Sequence, residues 1–310
     1  MDFAKLERKM CDFINERLSL AKAKGVVLGL SGGLDSAIVA TVCHRAFLGA
    51  QNDGEMGQGG ENLAQNGANS ALNTENLGSN AENSANSSEN SRQNAENSIL
   101  IDKNSAPNSE KKGILALIMP TKNSNKEHLK DALALCEALK IEHKIIEIQP
   151  ILDAFLNACE SPDRLRLGNL AARVRMSLLY DYSAAKGYLV AGTSNKSELM
   201  LGYGTIYGDL ACAFNPIGEL YKSELYEFAR HLGLASCFID KAPSADLYEG
   251  QSDEGELGFK YAQIDELLKA LKRADTATAA SADKRLLEMV QNRIQNNAFK
   301  RAMPAIFKDF

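Results

Sequence analysis

The 310-residue chain predicts an α/β fold, a parallel twisted sheet flanked by helices. Three observations carry that prediction. Short apolar runs alternate with longer segments of helical apolar spacing, a pattern that implies parallel strands joined by right-handed crossovers. The first run, Gly25 to Leu30, ends in a glycine turn that opens directly into a helix. Polar or glycine-rich clusters follow Leu30, Met119 and Val190, the carboxyl ends of the expected strands, where open sheets of this kind bind ligands.

Each element has its own warrant. Phe3, Leu6, Met10, Phe13, Ile14 and Leu18 keep helical spacing and make the N-terminal segment an amphipathic helix. Gly25 to Leu30 reads as a short buried strand and Asp35 to Leu48 as the helix after it. GILALIM, Gly113 to Met119, is a second strand stopped by Pro120. Asn125 to Leu139 carries Leu129, Ala132, Leu133 and Cys136 on one helical face. HKIIEI, His143 to Ile148, is a third strand; Leu167 to Lys186 is a long helix; Tyr188 to Gly192 is a fourth strand; Lys222 to Leu232 is a further helix.

One segment, 50–112, stands outside this pattern. Asn, Ser, Gly, Glu and Ala dominate it, AENS recurs at Ala81 and Ala95, and its one apolar island is Ile99 to Ile101. It lacks the apolar area that would offset the entropy of ordering, so it reads as a low-complexity, disordered insertion in a domain formed by 1–49 and 113–310. It joins the end of a helix to the start of a strand, so it is expected to emerge at the sheet edge opposite the ligand side.

Composition excludes several functions. With 35 basic against 40 acidic residues the net charge is -5, which argues against a nucleic-acid partner. There is no targeting signal, and no apolar run approaches the roughly 20 residues of a membrane span. The 6 cysteines are scattered without a C-x-x-C pair, which fits reduced thiols, argues against a zinc or dithiol centre, and predicts a cytoplasmic protein.

The stretch LGLSGGLDSAIVA, Leu28 to Ala40, carries the chemistry. It contains G-x-S-x-G (Gly29, Ser31, Gly33), the nucleophile elbow of α/β-hydrolases. A serine hydrolase would need a late histidine, yet the histidines are His44, His128, His143 and His231, none in the last quarter of the chain. No G-K-[ST] follows, so the turn is not a Walker A loop. Read further, it becomes S-G-G-x-D-S, and that pattern suits a pyrophosphate. Successive backbone amides, the Ser31 and Ser36 hydroxyls and a helix N-terminus surround an anion with donors, and Gly32 and Gly33 permit close approach. Asp35 would repel phosphate directly but fits an intervening Mg²⁺, which takes hard oxygen ligands. Gly29, Leu30, Ser31, Gly32, Gly33, Leu34, Asp35 and Ser36 together form the candidate ATP turn.

SGGLDS resembles the PP-loop of the N-type ATP pyrophosphatases, enzymes that transfer AMP to a substrate and release pyrophosphate. Two further stretches, Gly168 to Gly233 and Lys241 to Leu268, resemble NAD⁺ synthetases, and the likeness spans the chain outside the insertion. It implies an adenine nucleotide alpha hydrolase-like, Rossmann-like fold and an ammonia-dependent synthetase that amidates deamido-NAD⁺ at the cost of ATP, with Mg²⁺. Another PP-loop adenylating enzyme and a non-catalytic nucleotide-binding module are the alternatives; the cysteines and basic surface of a tRNA thiolase are absent.

The resemblance also implies roles. In GTSNKSE, Thr193 would bind ATP and Glu198 would join Asp35 on the metal. Lys222 and Ser244 match ATP-contacting positions, and Arg173 matches a deamido-NAD⁺-binding arginine. Asp209 would bind ammonium or take its proton, and Lys300 would reach the substrate. Departures from the family pattern occur at Ile206, Ala213 and Phe299, where a Lys, an Asp and a His are usual, so some polar substrate contacts are missing or replaced. Lys241 to Gly258 resembles a mobile lid. Free ammonia is the expected nitrogen donor because no glutaminase domain precedes the pattern, and a homodimer with a dinucleotide site at the interface is expected from the family.

Overall fold

The structure is a computed structural model and describes residues 1–49, 112–160, 162–244 and 252–307. The 50–112 insertion, apart from Lys112, lies outside the described residues, as does 245–251 of the expected lid.

Four parallel strands form the sheet in the order β3-β2-β1-β4: β1 (Gly25–Gly29), β2 (Gly113–Ile118), β3 (Glu142–Ile145) and β4 (Tyr188–Val190). The register aligns Gly25 with Gly113 and with Tyr188, so the carboxyl ends of β1, β2 and β4 meet at one edge. Around the sheet lie α1 (Phe3–Ala21), α2 (Leu34–Gly49), α3 (Lys126–Ala138), α4 (Gln149–Leu156), α5 (Arg164–Lys186), α6 (Lys196–Leu201), α7 (Lys222–His231) and α8 (Ser236–Ile239). Beyond them come α9 (Asp253–Leu257), α10 (Tyr261–Lys272), α11 (Thr276–Ser281) and α12 (Lys284–Asn296).

Alternation along the strands divides the core. Val26 and Leu28 of β1 and Ala116 and Ile118 of β2 pack with α1, α2, α3 and α7. Val27, Leu115 and Leu117, one residue out of phase, face α4 and α5 on the other side. Both faces are covered, which is why these strands read as continuous apolar runs. A third cluster, centred on Leu201, Tyr261, Ile264, Leu268 and Val290, joins α6, α10 and α12. Polar N-caps begin the helices where the sequence supplies them: Asp2 for α1, Asn125 for α3 and Asp163 for α5.

The third strand departs from expectation. It runs from Glu142 to Ile145 rather than to Ile148, and all of it is exposed. It is the edge strand, and its partner strand runs into Pro120, which has no N–H to extend a ladder. Pro150 then starts α4 from its first turn. The six cysteines are free; Cys43 and Cys136 are buried, and burial pushes the Cys43 thiol up to about 12. No helix among the described residues is long and apolar enough to cross a membrane.

The flanks of the insertion lie together. Asn15 of α1 donates through Nδ2 to the Ala46 carbonyl at 3.0 Å and accepts from Lys112 Nζ at 2.7 Å. Gly113 begins β2, so this junction is at the amino edge of the sheet.

Candidate active site

The turn after β1 stands at the carboxyl edge. Leu30 N–H still donates to Leu117 O at 2.9 Å, the last rung before the backbone turns. Ser36 Oγ donates to Gly33 O at 3.1 Å and accepts the Ser31 N–H at 3.3 Å, while Ser31 Oγ accepts the Gly33 N–H at 3.2 Å. The two serines thus brace the loop across its own span. Gly32 has φ +79°, and a Cβ there would lie 2.0 Å from the His128 carbonyl of α3. Only glycine fits. The first-turn amides of α2 open from this loop, and they are donors that a helix cannot satisfy internally.

A cavity of about 770 Å³ lies over this turn. Its wall includes Gly29, Leu30, Ser31, Gly33, Leu34, Asp35 and Ser36 from the turn, and Thr193, Glu198, Asp209, Lys222, Ser244 and Lys300 from the later motifs. Gly32 does not line it; its carbonyl instead accepts from Lys241 Nζ at 2.9 Å.

At one end three charges converge from three helices. Asp35 of α2 and Lys222 of α7 form an ion pair, and Glu198 Oε1 of α6 lies 4.0 Å from the same Lys222 Nζ. All three are largely buried. Burial and the neighbouring Asp35 charge push the Glu198 carboxyl well above its ordinary 4.5, with Lys222 opposing them. Burial disfavours the Lys222 ammonium, but attraction from Asp35 and Glu198 outweighs it and holds the amine above its ordinary 10.5. Two buried carboxylates of like charge want a cation, and one lysine serves both.

At the other end Asp209 is held by the Thr205 N–H at 2.9 Å, and burial raises its carboxyl above the ordinary range. Lys300 Nζ donates to the Gly202 and Gly204 carbonyls, each at 2.9 Å. Burial lowers the Lys300 amine, and the Asp209 charge partly restores it.

Arg173 is not on the cavity wall; its Nε reaches the Ile206 carbonyl at 3.4 Å on the exposed side. Beyond its first turn, where Arg164 and Leu165 line the cavity, α5 presents Asn169, Ala172, Arg175, Met176 and Leu179, one face at helical spacing, and Arg173 points off it. Arg175 and Arg164 line the cavity instead, as do Lys241 and Asp253. Neither arginine was singled out from the sequence, and Lys241 and Asp253 entered only as part of the expected lid. Arg175 sits two residues from Arg173 in the same AARVRM, and only the rotation of α5 distinguishes them.

A parallel sheet bearing S-G-G-x-D-S at its carboxyl edge, under a nucleotide-sized cavity, defines the Rossmann-like PP-loop class of ATP-using enzymes. The model of the NAD synthase family matches residues 6–304, and the chain belongs to that family. The NH(3)-dependent NAD(+) synthetase of Campylobacter jejuni is 49% identical over 308 residues, covering 99% of this chain and 100% of its own. That of Helicobacter pylori is 39% identical over 317 residues, covering 100% and 98%. Among solved structures, the NH3-dependent NAD synthetase from Campylobacter jejuni in complex with the nitrate ion aligns with TM-score 0.69 at 44% identity, over 99% and 100% of the two chains. The NMN synthetase from Francisella tularensis aligns with TM-score 0.73 at 27% identity over 100% of both. The chain is therefore a ligase that forms a carbon–nitrogen bond, and the serine hydrolase reading of the turn is set aside.

Proposed function

We propose that this enzyme amidates the nicotinate carboxylate of deamido-NAD⁺ with free ammonia and ATP, giving NAD⁺, AMP and pyrophosphate, the last step of NAD⁺ biosynthesis. The observation that carries the reading is the convergence of Asp35, Glu198 and Lys222 beside the glycine turn, on the wall of a nucleotide-sized cavity. A carboxylate is a poor acyl donor. Attack of its oxygen on the α-phosphorus expels pyrophosphate and leaves an acyl adenylate, from which ammonia then displaces AMP.

The chain's part is to hold reactants and neutralise charge. The first-turn amides of α2, opening from the loop that Ser31 and Ser36 brace, receive the departing pyrophosphate, and Lys222 offers a compact positive charge to the phosphates. Thr193 and Ser244, on the same wall, offer hydroxyls to ATP. The donor set of Asp35 and Glu198 fits Mg²⁺, which commonly takes one or two carboxylates and completes its shell from substrate phosphate and water. When bound there, Mg²⁺ supplies charge neutralisation to the triphosphate. Asp209, buried and raised, is suited to bind ammonium and accept a proton as the amine attacks. Lys300, close enough to feel the Asp209 charge, would face the dinucleotide.

Arg173, exposed outside the cavity, fits a dinucleotide that extends across the interface of a homodimer. A cytoplasmic location agrees with six free thiols. The direct test supplies ATP, Mg²⁺, ammonium and deamido-NAD⁺ and follows AMP and NAD⁺, with nicotinate mononucleotide as the competing substrate. AMP formed in step with NAD⁺ is expected. No AMP with deamido-NAD⁺, or preference for the mononucleotide, would replace this reading.

A further inference from the structure

Asn195, at the N-cap of α6, is 0% exposed and touches both carboxylates. Its Oδ1 accepts the Glu198 N–H at 3.0 Å, and its Nδ2 donates to Asp35 Oδ2 at 2.8 Å. Its own backbone N–H donates to Glu198 Oε2 at 3.1 Å. One oxygen of each carboxylate is thereby engaged. The remaining two, Asp35 Oδ1 and Glu198 Oε1, are the ones that approach Lys222 Nζ. A terminal carboxylate torsion is soft, so neither orientation is set by the side chain's own rotamer preference. These hydrogen bonds set it.

The residue type matters. A neutral amide can accept from one partner and donate to another at once. An aspartate in its place would cap α6 equally but turn a negative oxygen on Asp35. A serine would cap equally and offer nothing that reaches Asp35.

We infer that Asn195 is a positioning residue: its side chain turns Asp35, while its backbone N–H holds Glu198, so that one oxygen of each faces the point they share at Lys222. This rests on the reading of those carboxylates as the metal-binding pair. Partners that orient metal-binding side chains are worth about 10–100-fold in metal affinity. The ordinary alternative is that Asn195 only caps a six-residue helix.

The two roles separate in Asn195→Ser, which keeps the cap and removes the donor to Asp35. Mn²⁺ binding is titrated by electron paramagnetic resonance in the presence of α,β-methylene-ATP, with thermal melting alongside, for the wild type, Asn195→Ser, Asn195→Ala and Glu198→Gln. Asn195→Ser is expected to weaken Mn²⁺ binding about 10–100-fold while melting above Asn195→Ala, which loses the cap as well and should weaken Mn²⁺ binding equally. Mn²⁺ affinity of Asn195→Ser equal to the wild type's overturns the inference, as does a weakening that grows from serine to alanine in step with the fall in melting temperature. Should the serine chain not fold, Asn195→Thr carries the same comparison. A wild type whose Mn²⁺ affinity is unchanged by Glu198→Gln overturns the metal reading itself, a distinct outcome.

Discussion

Asp209 combines burial with hydrogen bonds from Thr205, its amide among them at 2.9 Å, and these set its position without neutralising it. If its carboxylate handles ammonium, Asp209→Asn raises the ammonium concentration needed for half-maximal rate and lowers kcat about 10²–10⁴-fold, the range of a lost general base. Steady-state kinetics at limiting and saturating ammonium check this, and near-normal turnover at limiting ammonium rejects the role. A second residue-scale expectation concerns His44, half-buried on α2. Burial lowers its imidazole below 6.5, with Arg45 adding to the effect. The unfolded chain therefore binds a proton more readily than the folded one. Stability from this group is present above pH 6.5 and is lost as pH falls below it. Urea melts of the wild type between pH 7 and pH 5 should fall more steeply than those of His44→Gln, and parallel curves would reject the assignment. At this scale the turn was legible because its glycines, serines and aspartate suit an anion cradle, while the hydrolase elbow they also spell lacked a late histidine. Asn195 was not, because a lone asparagine before a helix reads as a cap whatever else it touches. Arg175 was hidden for another reason: near-adjacent arginines cannot be ranked until the helix has a rotation.

Helix α7 presents Lys222 from its first residue, so its N-terminus must be held firmly. Asp265 of α10, 1% exposed, does so: its Oδ2 accepts the Ser223 N–H at 2.8 Å and its Oδ1 accepts a hydrogen bond from the Ser197 hydroxyl, while Ser197 Oγ accepts the Lys222 N–H at 2.9 Å. Three helices are joined at that point. Asp265→Ala strands a buried amide and a buried hydroxyl, each worth about 1–3 kcal/mol, and is expected to lower the melting temperature and to raise KM for ATP more than KM for deamido-NAD⁺. Equal effects on both constants would assign Asp265 to general stability. The turn after β1 is the second element under constraint. Gly32→Ala must force a Cβ against the His128 carbonyl at a positive φ, costing about 1–3 kcal/mol of strain. Loss of ATP binding by calorimetry is expected, and retained binding would show that the loop relaxes freely. The strands and first helices were legible because buried parallel strands are short apolar runs and α2 follows a glycine turn. The end of β3 was misjudged, since Pro120 leaves one rung unmade although the Ile146 and Ile148 amides still donate to the Ile118 and Pro120 carbonyls.

Across the whole molecule, the cavity and the insertion's flanks occupy opposite edges of the sheet, with Asn15 tying Ala46 to Lys112 at the amino edge. Replacing 50–110 with a short Gly-Ser linker is therefore expected to leave kcat and both KM values within about twofold of the wild type, since the flanks it would join lie away from the cavity. A large loss of activity, or a change of oligomeric state by light scattering, would assign the segment a working role. From the sequence alone came the α/β class, the chemistry of the turn and the resemblance to NAD⁺ synthetases, because local spacing and backbone demands are written in consecutive residues. Only the tertiary structure decided which side chains meet: that Asp35 and Glu198, far apart in the chain, share Lys222 through Asn195, and that Arg175 rather than Arg173 faces the cavity. Those outcomes depend on how helices rotate as they pack on the sheet, and that rotation is set by the summed contacts of the core rather than by any motif.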